Sequence, residues 1–450
     1  MGGTMTPVSG HSPAVQGFLD QFRDIAPTLP GAGLSWLAEL RAAGIDRFTK
    51  AGLPTPRTEA WKFTSLRPLE KLAPALAEAP AAPATARAAL TPDSVPALLA
   101  DAHRLVFVNG RFDPALSAIG TLPEGVVLDS LAAALARDPE LVAENLGRTA
   151  TLDGHPLLAL NIAFLGDGVV LDLPRGVTLD RPVEVVFLTI PGATPSAHHP
   201  RILVVAEENS AATLVEQHVA LGEGGYYTNA AAEIVVGRNA RIRHYKHQAD
   251  SLAAIHTAVV TTHVHRDAVY ESFTLNTGAA LCRHEARTIL DGTGANCHVS
   301  GAYAVRGSQH TDFTSFIDHA KPHGTSRQVV KGAIDGEARA VFQGKIVVRP
   351  DAQKTDGHQL NRALLLSDTA EINAKPELEI YADDVKCSHG ATAGELDDAQ
   401  LFYLRARGIP LEVARGLLIA AFLDEAMEEI GDETIRAAFQ TRIHAWLEGR

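Results

Sequence analysis

The chain has few cysteines, no long apolar run and no recognisable export signal. Its 450 residues include only three cysteines, Cys282, Cys297 and Cys387, which are too few and too scattered for a disulfide framework. The longest apolar run, Leu417 to Leu423, is far shorter than a membrane-spanning helix. Residues 1–20 lack the basic segment and apolar core of a signal peptide. We therefore expect a cytoplasmic protein with no membrane partner.

Positive charge and aromatic residues are also scarce. The 40 basic residues are outnumbered by 53 acidic ones, giving a formal charge of −13, which argues against a nucleic-acid partner. Aromatic residues make up only 6% of the chain, so a β-helix enzyme acting on polysaccharide, which needs stacking aromatics, remains only an alternative. A cytosolic zinc hydrolase is another alternative, although the chain has no His-Glu-x-x-His motif. The phosphate-binding Gly-x-x-x-x-Gly-Lys-Ser/Thr loop is missing too, so we expect no ATP site.

The composition that is present is that of a globular protein with several domains. Apolar residues account for 46% and charged residues for 21% of a chain too long for one ordinary core. Helix formers at helical spacing, as in Ser35–Ala43 and Leu131–Arg137, predict a mainly helical domain over 1–155. Within it, the Pro-punctuated stretch Ala79–Thr85 is typical of a linker.

The pattern changes between residues 156 and 390, where short strand-like runs alternate with Gly, Asn and Asp turns. Gly168–Leu173, Val183–Leu188 and Arg201–Ala206 are three such runs. This pattern predicts a mainly β domain, as a sandwich, a barrel or a solenoid, and no strict sequence period selects among them. The region is rich in histidine, and Cys282-x-His284 could place two ligand-type side chains on one face, although such residues are more often structural.

Helical periodicity returns over residues 391–450. Asp397 can cap a helix that ends at Gly408, and Pro410 suits the start of the next one. A last helix is expected from about Asp432. The apolar positions of these helices predict either an end cap for the β domain or a docking surface, with partner-binding candidates Leu401, Leu404, Leu417, Leu418 and Phe422.

The sequence Cys387-Ser-His389-Gly390 is the strongest candidate for a functional site. If the strand pattern of Glu377–Tyr381 runs on to His389, then Cys387 and His389 point to the same face. A thiolate and an imidazole together suit zinc, iron or an iron–sulfur centre. Two ligands do not complete a tetrahedral site, and a buried, purely structural cysteine is the competing interpretation.

Longer segments around this motif resemble a known family. Lys354–Ser367, Ala374–Thr392 and Leu396–Ile409, with Pro56–Thr64 near the N-terminus, are similar to the SufB/SufD subunits of the SUF iron–sulfur cluster assembly machinery. The chain resembles the SufD branch, because SufB usually carries an acidic Glu-His-Glu segment where this chain has Cys387-Ser388-His389. The match is dense over the last hundred residues or so and looser before them.

The resemblance implies a fold and a set of partners. It implies a right-handed parallel β-helix core over 156–390, flanked by an N-terminal helical domain and by a C-terminal helical domain over 391–450 that binds the ATPase SufC. It also implies a non-catalytic scaffold subunit that pairs with SufB and forms a homodimer when isolated. A transient iron–sulfur cluster or iron is then expected at the SufB–SufD boundary, held by His389 and, more weakly, by Cys387.

Overall fold

The structure is a computed structural model that describes residues 11–76, 87, 89–149 and 151–449. The predicted linker Ala79–Thr85 lies outside the described residues. The α-helices are α1 Pro13–Ile25, α2 Ser35–Ala51, α3 Arg67–Leu72, α4 Leu131–Arg137, α5 Pro139–Asn145, α6 Pro156–Ala163, α7 Asp398–Arg405, α8 Leu411–Met427 and α9 Glu433–Glu448. Short 3₁₀ helices span Ala26–Thr28, Glu59–Trp61 and Pro92–Ser94.

The strands before residue 240 are β1 Ala75–Leu76, β2 His103–Val108, β3 Arg111–Phe112, β4 Val127–Ser130, β5 Gly168–Leu173, β6 Val183–Thr189, β7 Ser196–His198, β8 Arg201–Ala206, β9 Ala211–Ala220 and β10 Tyr226–Val236. The later strands are β11 Arg241–Ala249, β12 Ile255–Val264, β13 Val269–Asn276, β14 Leu281–Leu290, β15 Asn296–Val305, β16 His310–His319, β17 Thr325–Ile334, β18 Arg339–Val348, β19 Asp356–Leu365, β20 Glu371–Ile380 and β21 Lys386–Gly394. Strands therefore occur both before residue 156 and beyond residue 390.

These strands build two long sheets that wind as one solenoid of about eight turns. The first sheet has the order β20-β18-β16-β14-β12-β10-β8-β5-β4, with β1 and β7 at its side, and the second has the order β21-β19-β17-β15-β13-β11-β9-β6-β2-β3. From β8 and β9 onward, successive strands in each sheet are parallel. The predicted mainly β class, with a parallel β-helix core and helices at both chain ends, is confirmed.

The turns of the solenoid differ in length, which explains why the sequence has no strict period. Ile255 pairs with Leu281, 26 residues further on, whereas Arg339 pairs with Glu371, 32 residues further on. One corner is nevertheless chemically regular. Asn209, Asn239 and Asp267 occupy it in consecutive turns with φ of 63°, 56° and 56°, a left-handed conformation that Asn and Asp tolerate better than most residues.

The interior of the solenoid is apolar in many turns but polar in the middle ones. The carboxylate of Glu216 accepts hydrogen bonds from His218 and His244 and pairs with Lys246, and all four side chains are buried. Burial by itself raises the pKa of Glu216, but the Lys246 ammonium and the two imidazoles outweigh it and hold that pKa well below its usual range. His218 and His244 therefore have structural contacts inside the solenoid.

The helices at the chain ends cover the outer faces of the sheets. Trp61, from the N-terminal part, packs 4.1 Å from the buried Arg283 guanidinium of the first sheet. On the second sheet, Ile419 of α8 and Phe439 of α9 join Phe273 in one buried apolar cluster. The C-terminal helices begin as their sequence predicts: Asp397 caps α7, Pro410 precedes α8 and Asp432 caps α9. None of the described helices is both long and apolar enough to span a membrane.

Candidate functional site

The candidate site lies at the end of the solenoid formed by β20 and β21. Each is the last strand of its sheet, and no described strand pairs with its outer edge. The expectation that one strand runs from Glu377 to His389 is wrong: β20 ends at Ile380, and residues 381–385 turn the corner to the second sheet. Asp383 and Asp384, which favour turns over strands, form this corner.

Cys387 and His389 lie together on β21, as their spacing predicts, but in different environments. Cys387 is partly buried and packs against the interior core, in a column that contains Cys297, Ser326 and Gly357 of the preceding turns. Burial raises the pKa of its thiol. His389 is exposed and pairs in register with the buried Gln359. The pair therefore presents an accessible imidazole beside a half-buried sulfur.

A second polar group stands on the opposite, outward face of the same strands. The ring of His358 bridges two partners, with Nδ1 2.6 Å from Ser388 Oγ and Nε2 2.7 Å from Asp356 Oδ1. Sequence reasoning did not select His358, although the alternation Asp356-x-His358 lies in the segment that carries the family resemblance. The turn at residues 381–385 places Ser388 beside it.

The metal-binding capacity of this end is incomplete. Among the described residues, no three His, Cys, Asp or Glu side chains converge closely enough to hold a metal ion. Cys387 and His389 could supply two ligands, and a tetrahedral centre needs four. The other sequence candidate, Cys282 and His284, lies buried inside the solenoid, where burial strongly raises the pKa of Cys282 and lowers that of His284.

Exposed apolar side chains occur at the end of β20 and on the C-terminal helices. Ile380 and Tyr381, at the end of β20, are 41% and 62% exposed. On the C-terminal helices the exposed apolar residues are Phe402, Tyr403, Leu411, Val413 and Leu417. Of the partner-binding residues predicted from sequence, only Leu417 is in this exposed group, while Leu401, Leu404, Leu418 and Phe422 are partly buried. Helical spacing identifies an apolar stripe but not which of its residues the solenoid covers.

Comparison with known proteins is consistent with this architecture. The model of the SUF system FeS cluster assembly SufBD core domain matches residues 188–422, and that of the SufBD N-terminal region matches residues 13–185. The chain belongs to the SufBD family of iron–sulfur cluster assembly proteins. The core match covers most of the solenoid and ends within α8, and the N-terminal match covers the helices and strands that precede it.

Named relatives align over most of their length. An iron–sulfur cluster assembly SufBD family protein of Synechocystis is 35% identical, over 88% of this chain and 88% of the relative. The iron–sulfur cluster assembly protein SufD of Escherichia coli is 32% identical, over 90% of this chain and 92% of the relative. The SufD protein of Bacillus subtilis is 28% identical, over 89% and 92%.

Proposed function

We propose that this chain is a SufD-type scaffold subunit, without catalytic activity of its own, on which an iron–sulfur cluster is assembled in the cytoplasm. It pairs with a SufB-type subunit through the open end of the solenoid and binds a SufC-type ATPase through its C-terminal helices. The cluster is cargo, held transiently between subunits. The observation that supports this proposal is that Cys387 and His389, two side chains of the type that ligates iron, lie on β21, a strand with no described strand on its outer edge.

An uncovered strand edge supports pairing with another subunit. The backbone groups along the outer edge of a last strand remain free to bond to a strand of a second chain. Most residues of β21 are exposed, whereas nearly all residues of β17, two turns further in, are buried. Ile380 and Tyr381 add exposed apolar surface beside this edge, as expected for the centre of an interface.

His389 is the residue on which the proposal depends most. A neutral imidazole ligates iron and also exchanges protons near neutral pH, and a partner strand along β21 would bring its own ligands beside it. Cys387 can contribute a thiolate, but its partial burial makes it the weaker candidate. The other two ligands would come from the partner, which accounts for the incomplete set in this chain.

The principal test is His389→Ala in a chain co-expressed with its SufB-type and SufC-type partners. We expect recovery of the complex and its melting temperature to be unchanged, because the His389 side chain is exposed, and cluster formation in the cell to be lost. His358→Ala is the matched control, since His358 lies at the same end of the solenoid but faces outward. Normal cluster content in an intact His389→Ala complex would contradict the proposal.

The ATPase contact is tested separately on the exposed helical surface. Leu417 is 49% exposed on α8, and Leu252, in a loop on the solenoid, is 55% exposed. Leu417→Asp places a charge in the proposed contact and should reduce co-purification of SufC without unfolding the chain, whereas Leu252→Asp should not. Equal recovery of SufC with both variants would place its binding surface elsewhere.

A further inference from the structure

A hydroxyl, an imidazole and a carboxylate are hydrogen-bonded in series on the outward face of β19 and β21. Ser388 Oγ lies 2.6 Å from Nδ1 of His358, and Nε2 of the same ring lies 2.7 Å from Oδ1 of Asp356. With the ring proton on Nε2, the ring donates to the Asp356 carboxylate, and Nδ1 accepts the hydrogen bond of the Ser388 hydroxyl. A hydroxyl beside a base that a third group orients is the arrangement that activates serine as a nucleophile.

The register of the two strands aligns this series. Asp356 and His358 are two residues apart on β19, so their side chains point to the same face, and Ser388 is the direct cross-strand neighbour of His358. The backbone of β21 is bonded to β19 just before the serine, where the N–H of Lys386 donates to the carbonyl oxygen of Thr355 at 2.8 Å. The three side chains are therefore positioned by paired strands and not by a loop.

The serine is accessible, and a backbone donor lies next to it. Ser388 is exposed, and the side chains of His358 and Asp356 are 49% and 47% exposed. N–H groups alternate between the two edges of a strand, so the N–H of Lys386 faces β19 and that of His389 faces the outer edge, where no described strand pairs with β21. An N–H of the residue that follows a nucleophile can stabilise the negative charge that develops during attack.

We propose that Ser388 is a nucleophilic serine and a site of covalent modification by electrophiles that carry a good leaving group on a carbonyl carbon or on phosphorus. The Ser388 oxygen bonds to the electrophilic atom, the bond from that atom to the leaving group breaks, and His358 passes the hydroxyl proton to the leaving group. No oxidant, reductant or further reactant is needed. One modification per chain is not turnover, so this inference goes beyond the proposed scaffold function and does not depend on it.

The test uses the purified full chain and a fluorophosphonate, whose phosphorus bonds to the serine oxygen while fluoride leaves with the hydroxyl proton. Peptide mass mapping should place the adduct on Ser388. The control within the same chain is Ser94, which is also exposed but whose hydroxyl donates to the carbonyl oxygen of Thr91 at 2.8 Å. Activation by a general base predicts that Ser388 reacts at least about 100-fold faster than Ser94. Ser326 should not react, because it is buried with His319 inside the solenoid.

Two variants separate activation of the hydroxyl from its accessibility. His358→Ala leaves Ser388 exposed and should lower its labelling rate by about 100-fold, and added imidazole should restore part of that rate by replacing the missing base. Asp356→Asn should also lower the rate, because an amide does not hold the ring in the same tautomer. No adduct on Ser388, labelling no faster than that of Ser94, or a His358→Ala variant that keeps the rate of the parent would overturn the proposal. These results would leave the His389→Ala and SufC recovery tests unaffected, so failure here is distinguishable from failure of the scaffold function.

Discussion

Mild acid should unfold this protein, because its fold buries several histidines in their neutral form. Burial lowers the pKa of five imidazoles from the ordinary value of 6.5. The pKa falls to about 4 for His198, His218 and His319. It falls to about 3 for His199 and His247. The unfolded chain takes up these protons near pH 6.5, and the folded chain does not. Between the two pKa values the unfolded state binds more protons, so stability falls as pH falls.

The size of the effect follows from the number of imidazoles. Between pH 6.5 and 5.5, each histidine that stays neutral only in the folded state costs about 1 kcal/mol of unfolding free energy. Five of them give a loss of about 5 kcal/mol, comparable with the total stability of many domains. The buried carboxyls of Glu216 and Asp250, whose pKa values are lowered, add their own loss at lower pH, beginning in the range in which carboxyls normally titrate and continuing below it.

Urea unfolding at fixed ionic strength, followed by circular dichroism at pH 7.5, 6.5 and 5.5, measures this loss. The variant His199→Phe removes one imidazole from a site already lined by aromatic rings, since His199 stacks on Phe164 at 4.9 Å. It should reduce the pH dependence by about one fifth. An unfolding free energy that stays level from pH 7.5 to 5.5, or a His199→Phe variant with the pH dependence of the parent, would refute the reasoning.

Two further expectations concern packing and buried charge. A Cβ atom on Gly332 would overlap the ring of Tyr303 inside the solenoid, so Gly332→Ala should lower the free energy of unfolding in urea by about 1–3 kcal/mol. The control is Gly416→Ala on α8, where a Cβ atom would meet open space. It should be neutral or raise the free energy of unfolding by up to about 1 kcal/mol. Arg201 and Glu233 form an ion pair in which both side chains are fully buried. Arg201→Met should lower the free energy of unfolding by about 3–5 kcal/mol, because it leaves the Glu233 carboxylate buried without its cation. The double variant Arg201→Met, Glu233→Leu should recover much of that free energy. Equal effects of the two glycine variants, or no recovery in the double variant, would contradict these expectations.

Local signals in the sequence predicted the helices well and the course of the solenoid less well. Capping residues such as Asp397 and Asp432 act within one helical turn, so they identify helix starts without knowledge of the fold. The turn at residues 381–385 depends instead on where the first sheet ends, which is a property of the stacked turns. The same limitation applies to Leu417 and Phe422, both predicted to bind a partner: Leu417 is exposed, whereas Phe422 is partly buried against the cluster that contains Phe273.

The sequence predicted the two residues of the candidate site but not the residues that surround them in the preceding turns. The spacing of Cys387 and His389 places both on one face of a strand, and the structure has this arrangement. The column of Cys297, Ser326 and Gly357 that Cys387 continues could not be predicted, because these residues are aligned by the pairing of strands about 30 residues apart in sequence. Such contacts depend on the register between turns, and the variable turn length conceals that register in the sequence.

The two strands at the open end are not equally suited to receive a partner, and this difference favours β21. Natural proteins protect exposed strand edges with proline, charge or a covering segment. β20 has all three, because it contains Pro376 and several charged residues, and Lys375 is paired with Glu59 of the N-terminal part at 2.6 Å. β21 has no proline, and its second half, from Gly390 to Gly394, consists of small residues that allow another backbone to approach closely. The edge left unprotected is therefore the one that carries Cys387 and His389, as expected if pairing with a second subunit and completion of the ligand set are the same event.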